Sequence, residues 1–198
     1  MIEKLTNELV SQMTEAKLIN EELEEYYAYV LISWIEKFIT VGTIILISVA
    51  VHKLLPTMFF LLFFFALRKR TGGYHLNKFY QCYLATVASY ISILGMSSVL
   101  ANYPILLFAM LLWAIGIIEI IGTVNHPNMH MDSEELAELK ASARIITLLE
   151  GVAICCFTIL EADMVFISYM AIAVILCAAL LCIAKITKQE VKVHEESQ

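Results

Sequence analysis

Two residues in this chain have the types and the setting for nucleophilic chemistry. Cys82 opens a long apolar stretch, and His75 stands seven positions earlier, directly after Gly72-Gly73-Tyr74. A cysteine attacks as thiolate, so it needs a base or an electropositive setting, and imidazole is the common base. Arg68-Lys69-Arg70 adds positive charge just upstream. Spacing constrains the pair. Seven positions on one continuous helix separate two residues by about 10.5 Å along the axis. If they act together, His75 lies in a loop folded back over the start of the Cys82 helix. Gly72 and Gly73 supply the backbone freedom for that fold. Taken one at a time, both residues have blander readings: a lone cysteine in an apolar helix is usually a small hydrophobe, and a histidine after a glycine turn is usually structural.

Two carboxylates are also out of place for a chain this apolar. Glu119 and Glu150 each lie inside an apolar stretch. Carboxylates within a membrane are costly and face the bundle interior with a partner. Either could orient His75 as the third member of a hydrolase triad does. The favoured alternative is a structural ion pair with Arg68, Lys69, Arg70 or Arg144. His126 and His130 have metal-ligand spacing and Asp132 is close by, but Pro127 breaks the helix that the spacing would need, so no metal or other cofactor is expected.

The elements that must position these residues are membrane helices. Of the 198 residues, 60% are hydrophobic and only 16% are charged. Residues 79–118 form a run of 40 positions with no Asp, Glu, Lys or Arg. A membrane span needs about 20 mostly apolar residues. The fold class is therefore all-α: a polytopic membrane bundle of about six spans, forming a single domain over residues 1–198. The spans are expected near 38–55, 57–67, 79–100, 105–124, 145–160 and 164–184, with Pro56 ending the first. The 57–67 segment is short enough to be re-entrant. Residues 125–144 read as a polar loop with a short helical piece, and 185–198 as a charged tail. Residues 1–26 read as an amphipathic surface helix, because Ile2, Leu5, Leu9, Met13 and Ala16 recur at helical spacing. That segment is too polar for a cleavable signal peptide.

Charge sets sidedness and excludes partners. With six crossings and both termini cytoplasmic, twelve of the thirteen Lys and Arg residues fall inside and only Lys53 falls outside. The net charge of −6 and the lack of a basic face argue against nucleic acid. Cys155, Cys156, Cys177 and Cys182 lie in apolar spans without a CxxC pair, which argues against a disulfide scaffold.

The run Arg68-Lys69-Arg70-Thr71-Gly72-Gly73-Tyr74-His75, followed by Cys82, resembles the signature of the accessory gene regulator B family. The chain length, the hydrophobic profile and the Asn125-His126-Pro127-Asn128 loop fit as well. The resemblance implies a multi-pass membrane cysteine endopeptidase of the bacterial cell membrane. Such an enzyme processes a small quorum-sensing propeptide with an acidic C-terminal tail into a cyclic thiolactone or lactone, and acts as a homodimer. It places His75 and Cys82 in the catalytic positions, and Gly72 and Gly73 in the catalytic-loop backbone. The triplet Arg68, Lys69 and Arg70 then has two readings of about equal weight: a clamp for the acidic tail, or a topology signal alone. The acidic first helix and the sparse basic content of 125–144 depart from the family pattern. A small transporter or peptide exporter remains the alternative function, with a non-catalytic scaffold third. Either leaves the Gly-Gly-x-His-x6-Cys run without a purpose.

Overall fold

The computed structural model describes residues 2–16, 24–72, 79–124 and 133–187. Seven helices and no strand occur among them: α1 (Ile2–Glu15), α2 (Glu24–Ala50), α3 (Leu54–Thr71), α4 (Phe79–Ala101), α5 (Pro104–Ile121), α6 (Ser133–Ile159) and α7 (Met164–Ile186). Five of them, all except α1 and α3, are long and apolar enough to cross a membrane. The protein is an all-α membrane helix bundle, as its composition requires.

Four boundaries differ from the sequence expectation. The first span belongs to α2, which begins at Glu24, so the polar surface segment ends earlier than residue 26. Pro56 opens α3 rather than closing α2. The chain turns at Val51–Lys53, with His52 at φ 54°, and Pro56 sits in the first turn of α3. Proline costs nothing there, because the first N–H groups of a helix lack an intrahelical acceptor anyway. The 57–67 segment is part of an 18-residue helix that carries Arg68, Lys69 and Arg70 in its last turn. At 1.5 Å per residue α3 is about 27 Å long, with no break for a re-entrant hairpin. Finally, α6 starts at Ser133, so Lys140 and Arg144 stand on a membrane-entering helix and not in a loop.

Helix α7 is the centre of the bundle. It packs against α3, α4, α5 and α6. Tyr169, Met170, Ala171, Ala173, Val174 and Cys177 along it are fully buried. Small residues at Ala171, Ala173 and Ala178 let the neighbouring helices approach closely. The phenylalanines of α3 serve helix–helix contact: Phe60 and Phe63 are buried, and Phe59 packs edge-on to Phe166 at 4.5 Å. Phe157 closes that aromatic group at 5.8 Å from both Phe59 and Phe166. The outer faces of α2, α4 and α5 expose Leu46, Leu84, Ile105 and Trp113, as a lipid-facing surface does. Helix α1 packs on α2 of the same chain and buries Val10.

Candidate functional site

Cys82 lies in the first turn of α4, half-buried and with a free thiol. Its carbonyl accepts a hydrogen bond from the Thr86 hydroxyl at 2.8 Å. That bond is the local habit of a threonine one turn along a membrane helix, and it leaves the sulfur unengaged. Phe79 to Ala101 are helical because the stretch is apolar and free of proline, and Pro104 starts the next helix. Position 82 is therefore held on a rigid element at its polar end. His75 and Gly73 lie outside the described residues, as do His126, His130 and Asp132.

The basic triplet divides into three different environments. Arg68 is the innermost. Its guanidinium donates to the Gly72 carbonyl and lies within electrostatic reach of the Cys177 and Cys82 sulfurs. Arg70 turns back along α3, donating from Nη1 to the Ala66 carbonyl at 2.6 Å and from Nε to the Ser142 hydroxyl of α6 at 2.7 Å. Lys69 is exposed. One sequence run thus supplies a cation inside the bundle, a cross-brace between two helices and a free surface charge.

The two carboxylates separate as well. The Glu150 side chain is 7% exposed and neither of its oxygens has a hydrogen-bond partner. It sits on the buried face of α6 with Ala143, Thr147 and Ile154. Arg70 and Cys177 are within electrostatic reach, but no direct ion pair forms. Glu119 is half-buried with its Oε1 unpartnered, and Arg144 Nε donates at 2.9 Å to its main-chain carbonyl rather than to its carboxylate.

Sequence reasoning gave Cys177 no role beyond an apolar-span cysteine. Its buried thiol donates to the Phe64 carbonyl at 3.7 Å and, like Cys82, it lies within electrostatic reach of Arg68. Sequence reasoning also overlooked Ser142 and Thr123, whose hydroxyls engage Arg70. Only the approach of the α3 end to α6 and to the segment just after α5 reveals them, since a lone serine or threonine carries no distinctive spacing. Gly72 ends α3 at φ 63°, with its N–H donating to Arg68 O at 3.2 Å. A Cβ there would stand 3.0 Å from the Val124 carbonyl.

The model of the accessory gene regulator B family matches residues 2–186. No curated protein and no solved structure matches the chain significantly. Membership of that family implies a part in processing the autoinducing peptide of the accessory gene regulator system. Because the match spans nearly the whole membrane bundle and both ends of the Gly-Gly-x-His-x6-Cys run, this protein belongs to the accessory gene regulator B family.

Proposed function

We propose that the protein is a membrane cysteine endopeptidase that cuts a quorum-sensing propeptide and closes the released segment into a thiolactone or lactone. The observation that carries this reading is the placement of Cys82. It is a free, half-buried thiol in the first turn of an apolar helix, with the Arg68 cation within electrostatic reach.

In this mechanism the Cys82 thiolate attacks the carbonyl at the junction between the future ring and the C-terminal tail. His75 accepts the thiol proton and returns a proton to the leaving amine. The amide C–N bond breaks, the tail departs with a free amine, and the ring segment stays on Cys82 as a thioester. A Cys or Ser side chain of the same peptide then attacks the thioester and regenerates the Cys82 thiol. Water must be kept away, since hydrolysis would yield a linear acid. An amide-to-thioester exchange runs uphill, so removal of the tail draws the reaction forward.

The acidic tail of the propeptide docks at the basic end of α3. Lys69 is the exposed member of the triplet, while Arg68 and Arg70 are engaged within the protein. The bundle works as a homodimer in the bacterial cell membrane with both termini cytoplasmic. Purified protein in vesicles, mixed with propeptide and followed by mass spectrometry, tests the reading. Wild type is expected to release the tail and the Cys82→Ala protein to release none. Tail release by the alanine variant would sink the assignment.

A further inference from the structure

Helices α5 and α6 run antiparallel and meet along a seam that three contacts define. Furthest from the basic end of the bundle, a Cβ added at Gly151 would stand 3.2 Å from Ile115 Cδ1. Nearer that end, where Arg70 meets Ser142, Arg144 Nε donates to the Glu119 carbonyl at 2.9 Å. At the last level the Lys140 stem lies across Gly122, where a Cβ would meet Cγ at 2.9 Å and Cβ at 3.1 Å. Gly122 takes φ 74°, so glycine serves there both the turn and the passage of the lysine. Lys140 and Arg144 thus share one face of α6 at a four-residue spacing, level with the last turn of α5.

Neither cation is neutralised within the chain. Arg144 is exposed, and its bond to Glu119 takes Nε, leaving both Nη nitrogens without a partner among the described residues. The Glu119 carboxylate does not compensate it, because its Oε1 is buried and unpartnered and Arg144 reaches the main chain instead. Lys140 is half-exposed and makes no ion pair among the described residues. Its stem, laid on a helix end, carries the ammonium toward the interface. Beyond the cations the seam is apolar. Leu148 and Val152 continue the Arg144 row of α6 at successive turns, and both are exposed. On α5, Leu112 is exposed and a Cβ at Gly116 would meet nothing within 4 Å. Glycines at 116 and 151 leave a shallow trough between these aliphatic side chains.

Two cations at the polar end of an apolar trough match an anionic head joined to a hydrocarbon chain. We propose that the α5–α6 seam binds an anionic phospholipid, its phosphate held by Lys140 and the Nη fork of Arg144 and one acyl chain laid along Gly116 and Leu148. The guanidinium fork fits phosphate oxygens in bidentate fashion, and the ammonium adds a point charge. Basic sites between membrane helices hold such headgroups in this way. An acidic peptide would satisfy the cations but not the trough. A second copy of the chain would cover the trough at the cost of desolvating both cations. The inference is independent of the protease reading.

The test titrates the full chain in neutral detergent with phosphatidylglycerol and, separately, phosphatidylcholine, counting bound lipid by native mass spectrometry. Wild type should hold one phosphatidylglycerol in preference to phosphatidylcholine. Lys140→Gln and Arg144→Gln should each weaken that binding about fivefold, and the double variant about thirtyfold. Lys185→Gln, which removes a cation from the end of α7 instead, should bind as wild type. Gly116→Leu fills the trough without touching a charge and should also weaken phosphatidylglycerol binding, so the proposal stays testable if the double variant does not fold. Glycerol phosphate, the head without its chains, should compete poorly. Unchanged binding in the double variant overturns the proposal, and so does an equal loss in Lys185→Gln, which would reduce the effect to diffuse charge attraction. Glycerol phosphate displacing the lipid at equal concentration overturns it in favour of a free-phosphate site. Hexaglutamate binding more tightly than phosphatidylglycerol makes an acidic peptide the occupant, and loss of a dimer instead of lipid from the double variant makes the seam a contact between copies; either result overturns the lipid assignment.

Discussion

Arg70 Nε donates to Ser142 Oγ at 2.7 Å, joining the last turn of α3 to the early part of α6. The bond spans 72 positions in sequence and is half-buried. It gives Arg70 a structural task that a topology signal alone does not require, and together with the Nη1 bond to the Ala66 carbonyl it commits part of the guanidinium to contacts within the protein.

Consequently the tail-binding role should follow Lys69 more than Arg70. Lys69→Glu is expected to slow propeptide cleavage several-fold with the protein still folded, and raised salt should weaken capture by wild type, because exposed charge pairs are screened. Ser142→Ala should lower stability by about 1 kcal/mol, read as a lower melting temperature in detergent, and leave cleavage near wild type. Equal cleavage by Lys69→Glu and wild type at low salt would remove the tail clamp.

Among the cysteines, function and stability should part company. Cys82→Ala and His75→Ala are expected to abolish cleavage while the protein still inserts. Cys155→Ala, Cys156→Ala and Cys182→Ala should be silent, since Cys155 and Cys156 are exposed on the outer face of α6 and Cys182 is only half-buried. Cys177→Ala should keep activity but cost about 1 kcal/mol in stability, because it underfills a fully buried site and removes the thiol's added bond to the Phe64 carbonyl. Cleavage assays and melting curves on the six alanine variants separate the two effects.

Glu150 offers a test of its unpaired state. Breaking a buried ion pair costs about 3–5 kcal/mol, whereas a lone buried carboxylate makes no such contribution. Both Glu150 oxygens lack partners, so Glu150→Gln should leave the melting temperature unchanged or raise it. A fall of the size of a broken ion pair would mean that the carboxylate is held by a cation after all.

Gly72 should tolerate no side chain. Alanine would be strained at φ 63° and would push its Cβ toward the Val124 carbonyl. The expected loss is about 1–2 kcal/mol of stability, together with a marked fall in cleavage. Gly42, where an added Cβ meets nothing within 4 Å, is the control, and Gly42→Ala should behave as wild type.

Composition alone settles the fold class, because so little charge on so much apolar length leaves only membrane helices. Two glycines, an imidazole and a thiol in that order make Cys82 and His75 candidates, and it is the resemblance to the family signature that implies their catalytic roles. The residue string could not place the helix ends at Leu54, Thr71 and Ser133. Proline is compatible with either side of a turn, and basic or polar residues can extend a membrane helix past its apolar core by reaching the interface. Nor could it tell inward faces from outward ones. In a bilayer both faces of a helix are apolar, so the periodicity that marks a buried side in water is absent. That α7 is the hub, that Glu150 is buried without a partner, and that Thr123 and Ser142 hold the carbonyl and guanidinium of Arg70 were all decided by how helices far apart in sequence pack together. Those contacts exist only once buried polar groups must find partners where water cannot reach.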